Sequence, residues 1–161
     1  MFSRRNSVSF LSLAAAALLA GCASKAPPPG PVKTASVVCT ARPANDPLVG
    51  VWLNVRKEKG IVGEMYTLVT LKSDGTMEYG EQLKRGRQPP QGLSESGCWS
   101  RASQTLVLRS TQSNGVPVDL NDPIYINRYA IVSQAGKRLV LRGTDGTLAA
   151  RRMPDGYRLP F

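Results

Sequence analysis

Reactive chemistry at neutral pH often begins with histidine, and this 161-residue sequence has none. That absence removes the commonest metal ligand, the commonest general base, and every Ser-His-Asp or Cys-His arrangement. The acids are scattered: Glu58, Glu64, Glu78, Glu81 and Glu95 fall at strand ends or turns, where a solvated face is the ordinary role. Asp119 and Asp122 bracket Leu120-Asn121, but V-D-L-N-D-P lacks the D-x-[DN]-x-[DN]-G spacing of a calcium loop. Asp122-Pro123 reads instead as a turn starter. No catalytic residue, no metal and no other cofactor is expected.

Two residue types remain, arginine and cysteine. Lys and Arg number 21 against 11 Asp and Glu, a formal charge of +10. Arg101, Arg109, Arg128, Arg138, Arg142, Arg151, Arg152 and Arg158 crowd the second half. Guanidinium forks suit phosphate and carboxylate, so Arg109, Arg128, Arg142, Arg151 and Arg152 are candidate anion ligands if neighbouring strands align them. Otherwise they are outward, solvated positions. The cysteines are Cys22, Cys39 and Cys98, and their surroundings differ.

Cys22 ends a leader. Arg4 and Arg5 precede an apolar run over residues 8–19, too short for a comfortable transmembrane helix, followed by Leu19-Ala20-Gly21-Cys22. Those four residues match a lipobox, and residues 1–21 resemble the signal peptide of bacterial lipoprotein precursors. The resemblance implies cleavage before Cys22 and acylation of that cysteine, with palmitate-type chains holding the protein to a membrane. Ala23 stands where inner-membrane retention would favour Asp, so an outer-membrane anchor with the domain facing the periplasm is expected. Ser3-Arg4-Arg5-Asn6 also overlaps a twin-arginine export signal, which leaves the export route open. Export makes nucleic acid the least favoured anionic partner, behind lipid headgroups and acidic envelope polymers.

After Cys22 the chain runs A-S-K-A-P-P-P-G-P-V-K-T-A-S, an extended spacer that cannot build a core. Residues 22–37 are therefore lipidated cysteine and linker, and residues 38–161 one domain. In an oxidising compartment Cys39 and Cys98 are most simply a disulfide, free buried thiols being the alternative.

The elements that position these residues are strands. Short alternating runs rich in β-branched and aromatic residues predict strands over 50–56, 65–72, 76–83, 94–101, 105–110, 124–133, 137–142 and 147–153. Ser73-Asp74-Gly75, Asn114-Gly115, Ala135-Gly136 and Asp145-Gly146 put glycine where tight hairpins need it. Leu106 and Leu108 should share one face, and Leu139 and Leu141 should point inward with Arg142 outward. Arg87 to Gly92 (R-Q-P-P-Q-G) reads as a loop. With no apolar repeat at helical spacing after the leader, the fold class is all-β, a small antiparallel meander barrel of about eight strands.

Gly50/Trp52, Asp74-Gly75, Gly97/Trp99, Leu106-Val107-Leu108 and Arg151-Arg152-Met153 follow one another in an order that resembles lipocalin-like domains. That resemblance implies that the tryptophan of the opening Gly-x-Trp closes the bottom of the barrel while glycine permits close backbone approach. No binding residue carries over, because those positions vary with ligand, and the domain is shorter than a full lipocalin, without a clear C-terminal helix. The implied function is a non-enzymatic, membrane-anchored domain holding a small apolar or amphipathic molecule. The alternative is an envelope scaffold whose basic outer surface meets a protein or an anionic polymer. Oligomeric state is not legible.

Overall fold

The computed structural model describes residues 37–159. The leader, Cys22 and all but the last residue of the expected linker lie outside them. Nine strands follow in order: β1 (Gly50–Arg56), β2 (Glu64–Leu71), β3 (Thr76–Lys84), β4 (Gln91–Ala102), β5 (Thr105–Ser113), β6 (Val116–Pro117), β7 (Ile126–Ala135), β8 (Arg138–Gly143) and β9 (Gly146–Met153). Each pairs antiparallel with its neighbour from β1 to β5, and β5 then pairs with β7, β7 with β8 and β8 with β9. β9 returns to β1 through Val51–Met153, Trp52–Arg152 and Leu53–Arg151, which closes an eight-stranded barrel. The two-residue β6 only folds back on the end of β5. Closure leaves no long unpaired edge among the eight strands, and so removes the usual template for edge-to-edge aggregation.

All eight expected strands are present, with ends shifted by a few residues. The largest shifts are at the end of β5, which runs on to Ser113, and at the start of β4, where the expected loop over 87–92 is shorter: Gln91 and Gly92 pair with Leu83 and Gln82. The two prolines sit at 89 and 90, so the missing donors fall just outside the ladder rather than within it. At the other end of the chain, residues 124 and 125 belong to a 3₁₀ turn, Pro123–Tyr125, and not to β7. Asp122 starts that turn, its carboxylate accepting from the Ile124 amide at 2.9 Å.

Local chemistry accounts for the hairpins. Asn114 (φ 49°) and Gly115 (φ 79°) both take positive φ, the conformation that lets a two-residue turn follow the twist of its strands. In the β2–β3 turn the Asp74 carboxylate accepts from the Thr76 amide (2.8 Å) and hydroxyl (2.7 Å). These bonds hold that carboxyl below its usual pKa.

Alternation then sorts the barrel into inside and outside. Leu106, Leu108, Leu139 and Leu141 are all buried, while Arg109 and Arg142 are exposed. They join Trp52, Leu71, Met77, Trp99 and Ala150 in one apolar core. Leu48 is fully buried against it, although it precedes β1. Val51 and Leu53 point to the opposite side from Trp52 yet are also buried. Val51 shares a groove with Leu68, Thr70, Tyr157 and Leu159, so the last described residues run over the outer wall of β1 and β2.

Candidate functional site

The barrel has a sealed end and an open one. At the sealed end, Trp52 and Trp99 are each 1% exposed. The Trp52 indole donates to the Leu48 carbonyl at 2.8 Å, and the Trp99 indole to the Lys72 carbonyl at 2.8 Å. Each thus buries its ring while satisfying its only polar group. An arginine covers each ring: Arg152 at 4.2 Å from the centroid of Trp52, and Arg42 at 5.9 Å from that of Trp99. Arg152 also donates at 2.6 Å to the carbonyls of both Val49 and Pro47, tying the last strand to the segment that enters the first.

The two Gly-x-Trp units need glycine for different reasons. A side chain at Gly50, where φ is 138°, would collide with the Arg152 guanidinium. One at Gly97 would strike the carbonyl of Arg109, where the β4–β5 ladder slips register between Ser96 and Gly97. The disulfide between Cys39 and Cys98, with Cα atoms 5.3 Å apart, pins the entering segment to the outside of β4. Arg42 follows, its amide donating to the Ser73 carbonyl at 2.7 Å.

Above the sealed end the interior is filled. A cavity of only 20 Å³ remains, lined by Trp52, Asn54, Val69, Leu106, Leu141 and Leu148 among others. That is room for about one water molecule and excludes an organic ligand. The open end is different. There a cup of 630 Å³ lies between the ends of β1, β3, β7, β8 and β9. Its walls include Tyr79, Tyr129, Ile126 and Leu148, and its charged groups include Arg56, Glu81, Arg128 and Asp145.

The charged floor of the cup is built by register. Asn54 pairs with Thr67 and Thr67 with Glu81, so the three share a face, and Arg56 lies two residues along β1 on the same face. Arg56 donates to the Thr67 hydroxyl at 2.6 Å and to Glu81 at 2.8 Å, and its third nitrogen to Glu58 at 2.6 Å. The Thr67 hydroxyl in turn donates a hydrogen bond to Glu81 at 3.1 Å. Asn54, 7% exposed, donates to the Ala149 carbonyl at 2.9 Å, and buried Ser110 donates to Glu95 at 2.6 Å. Every one of these inner polar groups has a partner, as a low-dielectric interior requires.

Tyr79 and Tyr129 border the same network. Burial, reinforced by the carboxylate of Glu81, raises the phenol pKa of both, so each remains a neutral donor across the physiological range. The arrangement can therefore offer a bound molecule two aromatic walls, a phenolic hydroxyl or two, and an arginine fixed between two carboxylates. Among the described residues no three His, Cys, Asp or Glu side chains gather as a metal site would require.

The residues singled out from sequence fall into separate places. Gly50, Trp52, Gly97 and Trp99 build the sealed end, with Cys39 and Cys98 beside it. Cys22 lies outside the described residues. Arg109, Arg128, Arg142 and Arg151 are exposed on the outer wall, Arg128 also reaching the rim of the cup. Arg152 leaves the set of anion ligands, because its guanidinium is stacked on Trp52 and bonded to two carbonyls. Sequence reasoning missed Arg56 and took Glu81 and Glu95 for solvated acids. The signal was available in part: Asn54 and Arg56 continue the inward alternation of Trp52 with polar residues, which a barrel tolerates only near an opening.

No protein-family profile matches the sequence, and no curated protein matches it. Among solved structures, the crystal structure of the Cpx pathway activator NlpE from Escherichia coli is similar at 19% identity and a TM-score of 0.41. The match covers 70% of this chain and 49% of that one, so the chain spans about half the length of that protein. The crystal structure of a lipoprotein, YedD, from Klebsiella pneumoniae subsp. pneumoniae MGH 78578 is similar at 14% identity and a TM-score of 0.43. There the match covers 78% of this chain and 83% of the other.

Proposed function

We propose that the chain is an outer-membrane lipoprotein, acylated on Cys22, whose periplasmic barrel is a non-enzymatic binding domain for a small amphipathic molecule. The cup carries this reading. Its 630 Å³ falls within the range of small-molecule sites, and it opens above a core too full to admit anything larger than water. An apolar part would lie between Tyr79, Tyr129, Ile126 and Leu148, with a polar head against Arg56 and Glu81. A wholly apolar ligand fits less well, because it would leave that ion pair desolvated and unanswered. The leader and its lipobox support the anchor.

Native mass spectrometry of the protein purified gently from its own envelope tests the reading. Extra mass that disappears on denaturation is expected, and Arg56→Gln should weaken the affinity about tenfold, the loss of one charge-assisted hydrogen bond, and so lower the occupied fraction. Equal native and denatured masses, with no adduct in the wild type, would remove the cup from the function. The denatured spectrum separately reads the acyl chains on Cys22.

A further inference from the structure

The cup leaves the outer wall of the barrel without a role. β5, β7, β8 and β9 contain no Asp or Glu. They carry Arg109, Arg128, Arg138, Arg142 and Arg151, all exposed and none with a partner among the described residues. The ion pairs among the described residues, Arg42–Asp46, Arg56–Glu58, Arg56–Glu81 and Lys72–Glu78, include no residue of these strands. The strand-borne acids are thus confined to β2, β3 and β4, and the side formed by β5, β7, β8 and β9 is left basic.

Register makes that side a continuous surface. Each of the five alternates with interior residues, Arg109 between Leu108 and Ser110, Arg142 beside Leu141, Arg138 beside Leu139. Arg142 lies opposite Ala130, two residues from Arg128, and Arg128 lies opposite Val107, two residues from Arg109. Diagonal neighbours of this kind stand roughly 7 Å apart, close enough for one row of anions to bridge them. Arg138 and Arg151 face each other directly. Like charges opposed in this way weaken an isolated sheet. An anion over them would offset that repulsion.

The chain enters the barrel beside this surface. Cys98, which holds Cys39, is the cross-strand partner of Arg109. Between Cys22 and Cys39 the chain can reach at most roughly 60 Å, so an anchored barrel stays within that distance of its bilayer. At such range even weak contacts operate at high effective concentration.

We infer that the outer wall of β5, β7, β8 and β9 docks on the anionic phospholipid headgroups of the membrane that holds the anchor. The five guanidinium forks take the phosphates, with the short side chains of Ala130 and Ala149 between them. The inference shares the anchor with the function proposed above but not the cup, and its test reads lipid rather than ligand.

The test uses the chain processed at residue 22 and carrying Cys22→Ser, so that no acyl chain contributes. Every core residue lies between Leu48 and Ala150, which this chain retains, and circular dichroism checks its fold before binding is measured. Co-sedimentation with phosphatidylglycerol–phosphatidylcholine vesicles at low salt should exceed that with phosphatidylcholine alone, and should vanish near about 0.5 M salt. Arg109→Gln, Arg128→Gln and Arg142→Gln together should weaken binding roughly 100-fold, at about a factor of five for each cation near an anionic surface. Lys59→Gln, Arg85→Gln and Arg87→Gln remove the same charge from exposed positions elsewhere and should weaken it far less. Equal loss in the two triple variants would reduce the effect to net charge and overturn the docking face. No preference for phosphatidylglycerol, or affinity for an acidic polymer without affinity for vesicles, would overturn it as well.

Discussion

Gly50 and Gly146 have similar φ, 138° and 127°, but different surroundings. Around Gly146 no atom lies within 4 Å of where a Cβ would stand, whereas at Gly50 the Arg152 guanidinium fills that position. The pair separates conformational strain from steric conflict. Gly146→Ala should cost about 1–2 kcal/mol for its positive φ alone. Gly50→Ala should cost about 2 kcal/mol more, because Arg152 must leave Trp52 or its two carbonyls. Urea unfolding midpoints at unchanged slope would measure the difference. Equal costs would mean that Arg152 shifts freely and does not brace the sealed end. Arginine 152 also shows where residue-level reading stops. Its type and position suit an anion ligand as well as a ring cover, and only Trp52 opposite it decides between them.

At the scale of elements, the disulfide and the segment from Cys39 to Leu48 act together. The bond joins residues 59 apart, and closing so long a loop in the unfolded chain contributes roughly 4 kcal/mol in the chain-entropy view. It also holds Arg42 over Trp99 and helps to seat Leu48 under Trp52. Cys39→Ala with Cys98→Ala should lower stability by about 2–4 kcal/mol. Hydrogen exchange should show the Arg42 amide losing protection before the amides of β2 and β3, which share eight paired positions. Uniform loss across all three would instead make the segment part of the cooperative core. Strands and hairpins were legible because their signals are local: alternation, Asn114-Gly115, Asp74-Gly75. The start of β4 was misjudged because two prolines mark where a ladder cannot run, not how close to them it can resume.

For the whole molecule, burial of two phenols at the open end gives stability an alkaline dependence. Without histidine there is no imidazole to titrate between pH 5 and 8. Tyr79 and Tyr129 keep their protons to higher pH in the fold than in the unfolded chain, chiefly through burial. Above the ordinary phenol value of about 10 the unfolded state therefore releases protons that the folded state retains, and unfolding becomes easier. Their contribution is intact below about pH 10 and is lost progressively above it. Denaturant midpoints between about pH 8 and 11 should fall on the alkaline side, and Tyr79→Phe with Tyr129→Phe should flatten that fall. A slope unaltered by the two substitutions would show that the phenols are hydrated in the folded cup.

Fold class was determined by the sequence alone, since a period of two, punctuated by turn residues, is written in consecutive positions and needs no distant partner. So were the Gly-x-Trp units, whereas the pairing of Cys39 with Cys98 was an expectation with free thiols as its alternative until the fold brought their Cα atoms to 5.3 Å. Which polar residues gather at the open end was decided only in three dimensions. Alternation assigns Asn54, Arg56, Thr67 and Glu81 to a face but says nothing of their height in a barrel. Height depends on the register of β1 against β2 and of β2 against β3, and on closure through β9. The same closure placed Arg152 over Trp52 and left Arg109, Arg128 and Arg142 on a common outer wall, because neighbours in the sheet are set by pairing rather than by distance along the chain.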